Sequence, residues 1–416
     1  MTGPDLVRAL QSRAPGRWEL YAKTAETRQV EGARSLMRSL WRRERGWAAR
    51  WWEDEAPRFA AASSEDELAG AIESAARLAA APSPPPDWPS RHAEAPESGP
   101  VAAPPELFGE LAQSVAAASR GEAALASLTV RRGLARERIV NAAGLDVAQE
   151  RAVLDGVATC LARRGARARE ARLPFRWNGE PDLDMLARRL ADAATLPLSD
   201  RPSPFSAGQW LLDPAVGAVL LSAIAPLFVA ERLPRWVGRG PVAWRGLSIV
   251  DDPSTESAFD GEGVPTRRTP VVEEGMLVGR LLDLEAAKRA GARSTGHGAR
   301  PSYRVPPKAG PGRLFLETKT PTPSAELLAS VKRGLFASAL TAPPRIDLDA
   351  DRYEIEFTGV SVVAGRAQGP VAGARAAGRL SDLLRRIAGV STDTQFFPSP
   401  FPCGSPTVLI ERATFD

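Results

Sequence analysis

Apolar residues recur at helical spacing from Leu6 to Ala14, and after the Pro15-Gly16 break a short alternating run, Trp18 to Ala22, predicts a strand. From Leu36 to Phe59 the chain is dense in Trp and Arg, with Trp41, Trp47, Trp51 and Trp52 among Arg42, Arg43, Arg45 and Arg50. This stretch reads as an amphipathic strand or helix that buries its tryptophans and leaves its arginines in solvent. Ser63-Ser64 followed by Glu65 and Glu67 predicts a helix start, because a Ser side chain caps orphan N–H groups and carboxylates suit the first turn. That helix is Ala-rich and should run to about Ala81.

The proline-dense stretch 82–105 reads as an extended connection, and a second helix is expected over Pro105 to Arg120. Ala124 to Arg132 and Glu137 to Asn141 read as paired strands, with Asn141-Ala142-Ala143-Gly144 as a turn. Val147 to Arg163 alternates like a strand, and Leu183 to Ala194 is a one-faced helix. Pro197 to Gln209, rich in Pro, is the best boundary. It separates an N-terminal α/β domain, 1–196, from a β-rich, barrel-like C-terminal domain, 210–416.

Beyond that boundary strands are expected at Val242–Val250, Val271–Leu282, Gly312–Thr318, Arg352–Ala364, Gln368–Val371 and Thr407–Arg412. Helices are expected at Ala215–Ala230, Pro323–Arg333 and Arg379–Ala388. Many short strands with helices set apart point to an α+β class.

Composition narrows the function without naming it. The chain has 416 residues, 44% of them hydrophobic and 25% charged, as globular proteins do. A net charge of +4 from 54 basic and 50 acidic residues is too little to argue for nucleic acid without a concentrated patch. The Trp/Arg stretch could stack on bases or hold a partner, but Glu44, Glu53, Asp54 and Glu55 offset its arginines. Cys160 and Cys403 sit far apart, which suits a reducing compartment. The N-terminus lacks an apolar signal core, and the apolar run Val216 to Ala230 contains Pro226 and is short for a membrane span. A cytoplasmic protein is expected.

The most informative segment is Phe259-Asp260-Gly261-Glu262-Gly263-Val264-Pro265-Thr266-Arg267-Arg268-Thr269, a charged glycine-flanked turn, followed by a β-hairpin over Val271 to Asp283. Downstream come Ser294-Thr295-Gly296-His297, then Leu314-Phe315-Leu316-Glu317, then Lys332-Arg333-Gly334-Leu335, and finally Cys403-Gly404-Ser405-Pro406. In this order the blocks resemble the TldD/PmbA (TldE) family of metallopeptidases. The resemblance is strong from Leu211 to the C-terminus, weak around Asn141-Ala142-Ala143-Gly144-Leu145-Asp146, and slight over residues 1–80.

The resemblance implies that catalytic family members carry a zinc-binding HExxxH helix, with two imidazole ligands and a glutamate base. The corresponding helix here should start at Leu211-Leu212-Asp213-Pro214, and the motif positions read Ser222, Ala223 and Leu227. Serine is a poor zinc ligand and leucine is none. The chain holds only two histidines, His92 and His297. No catalytic residue and no metal ligand is therefore assigned to it. A nucleophilic Ser-His-Asp arrangement around His297 lacks a GxSxG elbow.

The resemblance thus implies a TldE-like subunit with no cofactor of its own. Zinc is expected in a TldD-like partner with which it forms a heterodimer that cuts or matures unfolded or modified peptides; the family also carries an older, indirect link to DNA gyrase control. The alternative is a non-enzymatic scaffold, a homodimer in a peptide-modifying pathway. Glu262, Arg267, Arg268, His297 and Cys403 are the candidates for substrate or interface contact. The two arginines could clamp a peptide carboxylate or pair with Asp260 and Glu262. His297 could reach a partner's site or be a hydrogen-bonded loop residue. Cys403 stands where catalytic members place a zinc-ligating cysteine, or is a small buried turn residue.

Overall fold

The computed structural model describes residues 4–33, 36–90, 107–177, 181–195, 198, 207–229, 231–238, 240–398 and 401–414. His92, the whole of the stretch 91–105 and the boundary residues 197 and 199–206 lie outside the described residues.

The N-terminal half is built on one six-stranded sheet, every pairing of which is antiparallel. Helix α1 (Pro4–Arg13) precedes β1 (Trp18–Ala33), β2 (Leu36–Glu53) and β3 (Ala56–Ala62). Helices α2 (Glu65–Ala76) and α3 (Leu107–Ala118) then lead to β4 (Ala123–Asn141), β5 (Asp146–Arg164), β6 (Arg167–Trp177) and α4 (Leu183–Thr195). The strand order is β3-β2-β1-β4-β5-β6.

Helix α2 starts where its cap residue predicted, with the Ser64 hydroxyl accepting from Glu67 N–H. It ends at Ala76, short of the expected Ala81. The strand expected at Trp18–Ala22 runs on to Ala33 through Lys23, Thr24, Glu26, Arg28 and Gln29, because it is paired on both sides by β2 and β4. The two short strands expected over Ala124–Arg132 and Glu137–Asn141 are one strand, β4, which pairs with β5 and not with itself. Gly133, which suggests a break, sits in the ladder opposite both Thr27 and Val153, and bonding on both sides outweighs its low strand preference.

The helices share one face of this sheet. Leu6, Leu10, Leu68 and Ile72 pack on Leu20, Trp47, Ala49 and Trp51, while Leu107, Leu111, Leu186 and Leu190 pack on Val130, Leu154, Ala158 and Phe175. The opposite face carries Tyr21, Ala48, Ile139 and Val147 and meets Ala258, Phe259 and Tyr303 of the C-terminal half. The Trp/Arg stretch is β2: Trp47, Trp51 and Trp52 are buried, but Trp41 is 67% exposed and Arg50 is buried. Burying a side chain of tryptophan size contributes about 2–3 kcal/mol.

The C-terminal half begins with β7 (Ala207–Leu212), helix α5 (Pro214–Ile224) and a 3-10 turn (Ala225–Phe228). Next come β8 (Ser248–Asp251), β9 (Thr269–Glu273), β10 (Met276–Leu277), α6 (Leu284–Arg289), β11 (Gly298–Ala299), β12 (Lys308–Ala309) and β13 (Leu314–Glu317). Helix α7 (Ser324–Ser330) leads into β14 (Arg333–Leu340), β15 (Arg345–Asp347), β16 (Arg352–Val363) and β17 (Arg366–Arg379). Helix α8 (Leu380–Arg385), β18 (Ile387–Val390), β19 (Gln395–Pro398), β20 (Pro402–Ser405) and β21 (Val408–Thr414) close the chain.

Strands β11 and β12 pair as a separate two-stranded ribbon; of the larger sheets, one runs β15-β16-β14-β7-β21-β18 with β17 on β16, and the other runs β10-β9-β8-β13-β20-β19. These sheets curl into half-barrels, which gives the mixed α+β class. Helix α5 lies in the core with contacts to both sheets. Its Val216, Ala218, Leu221 and Ile224 are buried, which explains its apolar character; Asp213 caps it by accepting from Ala215 N–H at 2.8 Å, with Pro214 in the first turn.

Candidate functional site

The glycine-flanked turn 260–263 is pinned inside the molecule, between the sheet face and the C-terminal half. Asp260 Oδ1 accepts from Glu262 N–H at 2.9 Å and Val264 N–H at 3.0 Å, and Oδ2 accepts from Gly298 N–H at 2.7 Å. Gly263 takes φ +78°, and a Cβ there would lie 2.4 Å from Leu145, so both the backbone and the packing require glycine. Glu262 is thereby turned toward β1 and β2.

Arg50 bridges two carboxylates, donating from Nη1 to Glu262 Oε1 at 2.8 Å and from Nη2 to Glu19 Oε2 at 3.0 Å. Glu262 Oε2 accepts from Leu284 N–H at 2.7 Å, at the start of α6. Arg300 donates to Glu19 through Nη2 and to Gly261 O through Nε at 3.0 Å, with its guanidinium over the Tyr21 ring. Beside this set, Gln149 on β5 donates to Phe259 O and accepts from Ser257 Oγ–H and Ala258 N–H. Glu137 accepts from Tyr21, Gln149 and Arg151.

Burial sets the electrostatics of this seam. It opposes the Arg50 charge, but the Glu19 and Glu262 carboxylates outweigh it and hold the guanidinium protonated. Burial raises Glu262 despite Arg50, with Asp283 and Glu19 adding to the rise. Burial and the neighbouring Glu262 push Asp260 up to about 8, against the pull of its three N–H donors. Glu262 is 0% exposed and Arg50 5%, so neither meets a ligand at the surface. This buried network joins the halves of the molecule, although the Nε atoms of Arg50 and Arg151 are left without a hydrogen-bond partner.

Sequence reasoning singles out Glu262 but misses Glu19, Arg50, Gln149 and Arg300. By composition Arg50 falls in with the solvated arginines of its stretch. The available signal is its position: it lies directly across from Glu19 in the β1–β2 register, on the face opposite Trp51.

The remaining candidates separate in space. Arg267 reaches Ser294 O, whereas Arg268 pairs with Glu317 and approaches Asp252 at 3.9 Å. They engage different segments, and neither pairs with Asp260 or Glu262. His297 is buried, with Nε2 on Asp251 Oδ1 at 3.2 Å and Nδ1 on Thr295 Oγ1 at 2.9 Å. Asp251 also accepts from Gly312 and Arg313 N–H, which makes His297 part of a buried loop lock.

Cys403 on β20 packs against α5, its Sγ donating to Ala218 O at 3.2 Å. Burial and the Asp251 carboxylate push its thiol far up, so it stays protonated. Ser222 lies in the last turn of α5, followed by Ala223, and Leu227 lies in the 3-10 turn as part of the hydrophobic core. Among the described residues no group of three or more His, Cys, Asp and Glu side chains converges as a metal site. A serine and a core leucine do not fit a zinc ion.

The geometry therefore defines an α+β protein in which a buried helix, α5, packs against the cysteine-bearing strand β20. Residues 209–416 match the family model of the PmbA/TldA metallopeptidase C-terminal domain. The chain belongs to this family. It is 30% identical over 176 residues to the metalloprotease PmbA of Escherichia coli O157:H7, an alignment covering 42% of this chain and 34% of that protein. It is 25% identical over 163 residues to the metalloprotease TldD homologue of Haemophilus influenzae, covering 38% and 33% respectively. These alignments span about a third of each curated relative's length. In structure the chain is similar to TldE from Thermococcus kodakarensis, with a TM-score of 0.86 at 19% identity over 99% of both chains. That likeness establishes the fold.

Proposed function

We propose that the chain is a TldE-like subunit that carries no zinc itself and joins a TldD-like, HExxxH-bearing partner in a heterodimeric peptidase. One observation carries the reading. In a C-terminal half of the metallopeptidase family, α5 and the turn after it carry Ser222, Ala223 and Leu227 where, on this reading, the HExxxH motif would fall, and neither a serine nor a core leucine replaces an imidazole. On this reading the partner supplies the zinc and the water-activating base. This chain supplies chamber wall, and the complex degrades or matures unfolded or modified peptides in the cytoplasm. Among the described residues no helix is long and apolar enough to cross a membrane, which is compatible with that setting.

The test is co-expression with a homologue that carries HExxxH, followed by size-exclusion chromatography, zinc analysis and peptide digestion. The expected result is a stable mixed complex with zinc bound by the partner, and a digestion rate well above that of the partner alone. If the partner digests peptide equally well by itself, the subunit role is wrong. If the chain elutes only as its own dimer, the scaffold reading takes its place.

A further inference from the structure

Strand β2 is paired with β1 from Leu36 to Trp51, but with β3 only from Trp47 to Glu53. Among the described residues no strand pairs with its outer edge over Leu36–Gly46, a length of about 35 Å. Roughly half the residues of such an edge direct N–H and C=O groups outward, a template for another strand. Proteins blunt open edges with proline, bulges or a covering element. This segment has no proline, and its register with β1 shows no bulge.

The edge is also unusually apolar and cationic. Trp41 is 67% exposed and Met37 49%, with Leu40 between them. Trp41, Arg43, Arg45 and Trp47 alternate along one face, with Arg43 over the Trp41 ring and Arg45 over the Trp47 ring. Within Leu36–Gly46 four arginines, Arg38, Arg42, Arg43 and Arg45, face one acid, Glu44. Arg43 is paired with Glu26, whereas Arg38, Arg42 and Arg45 have no carboxylate partner among the described residues. On its inner side this face borders a groove of about 740 Å³ that runs over β2, β1, β4 and β5, with Arg43, Arg45, Arg136, Glu26 and Glu150 in its lining.

We propose that the outer edge of β2 between Leu36 and Gly46 docks an extended acidic segment of a partner polypeptide, which adds to the sheet as a further strand. Charge decides the occupant. A second copy would bring one arginine-rich edge against another, and like charges on paired strands are destabilising. An acidic strand instead gains the outward backbone hydrogen bonds, neutralises the unpaired guanidiniums and places apolar side chains on Met37 and Trp41. The arginines thus guard the edge against self-association while selecting the partner. This inference does not rest on the peptidase reading.

The test uses the full chain and three fluorescent peptides: one alternating Glu and Val, one alternating Lys and Val, and the Glu/Val peptide N-methylated at every second residue. Anisotropy measures binding, and hydrogen exchange locates it. The Glu/Val peptide is expected to bind with a strong salt dependence and to slow amide exchange within residues 36–46. The Lys/Val and N-methylated peptides should bind at least about tenfold more weakly, as should the Glu/Val peptide to an Arg42→Glu/Arg45→Glu chain of unchanged circular dichroism. Comparable binding of the Lys/Val or N-methylated peptide, binding unaffected by the charge reversal, no binding of the Glu/Val peptide, or protection confined to another segment overturns the proposal. A concentration-dependent dimer that protects the same amides without peptide assigns the edge to a second copy and also overturns it.

Discussion

Replacing Arg50 by methionine tests whether the buried seam holds the two halves together. The substitution keeps much of the side-chain volume and removes the charge between two carboxylates. Glu262, 0% exposed, would lose its 2.8 Å partner and keep only Leu284 N–H at 2.7 Å; Glu19 would lose a 3.0 Å partner and keep Arg300. Breaking one buried pair costs about 3–5 kcal/mol, and Arg300 offsets part of the second loss, so a destabilisation of about 3–4 kcal/mol is expected. That is a large share of a typical folding free energy.

Urea unfolding of the parent, Arg50→Met, Glu262→Gln and the double variant gives the coupling. A neutral amide at position 262 needs no counter-charge, so the double variant should fall short of the summed losses by about 1–3 kcal/mol. Arg50→Lys should be intermediate, because an ammonium cannot span both carboxylates as a guanidinium does. Protease cleavage in 257–265 should also accelerate in Arg50→Met as the loop leaves the sheet. A loss below about 0.5 kcal/mol, or strictly additive variants, would refute the reasoning.

Further outcomes follow from the same geometry. Asp260 keeps a proton in the folded chain from its ordinary 3.8 up to about 8, so its contribution to stability should decline as pH rises through that window and level off above it. Asp260→Asn should lower stability overall but flatten that decline; parallel slopes for the two chains in urea midpoints from about pH 6 to about pH 8 would contradict this. Cys160, with its thiol raised to about 11, and Cys403 are both buried. A thiol reagent should therefore titrate neither in the native chain and both in denaturant. Gly46→Ala places a Cβ 2.2–2.4 Å from the buried Tyr303 ring and should cost about 1–3 kcal/mol, part of which Tyr303→Leu in the same background should recover on thermal melts.

How far the sequence could be read depended on what each residue contacts. Ser64 is a local signal, and it placed the start of α2; the helix expected over Ala215–Ala230 and the strand expected over Arg352–Ala364 overlap α5 and β16. Strands β1 and β4 extend past the expected segments because their outer parts carry polar side chains over a partly open groove, so alternation fades while the backbone ladder continues. The candidate site follows the same division. The turn around Glu262 is visible as a block of chemistry, but its meaning lies in Glu19 and Arg50, more than 200 positions upstream in the chain. A charged residue between tryptophans looks solvated when only its neighbours in sequence are considered. Only the β1–β2 register shows that Arg50 points away from Trp51, to the face where Glu19 of β1 and Glu262 of the C-terminal half meet it. The Arg50 seam lies between the β1–β2 sheet face and the 260–263 turn, whereas Ser222 and Leu227 belong to α5 and the 3-10 turn of the C-terminal half, so the two are separate features of the fold.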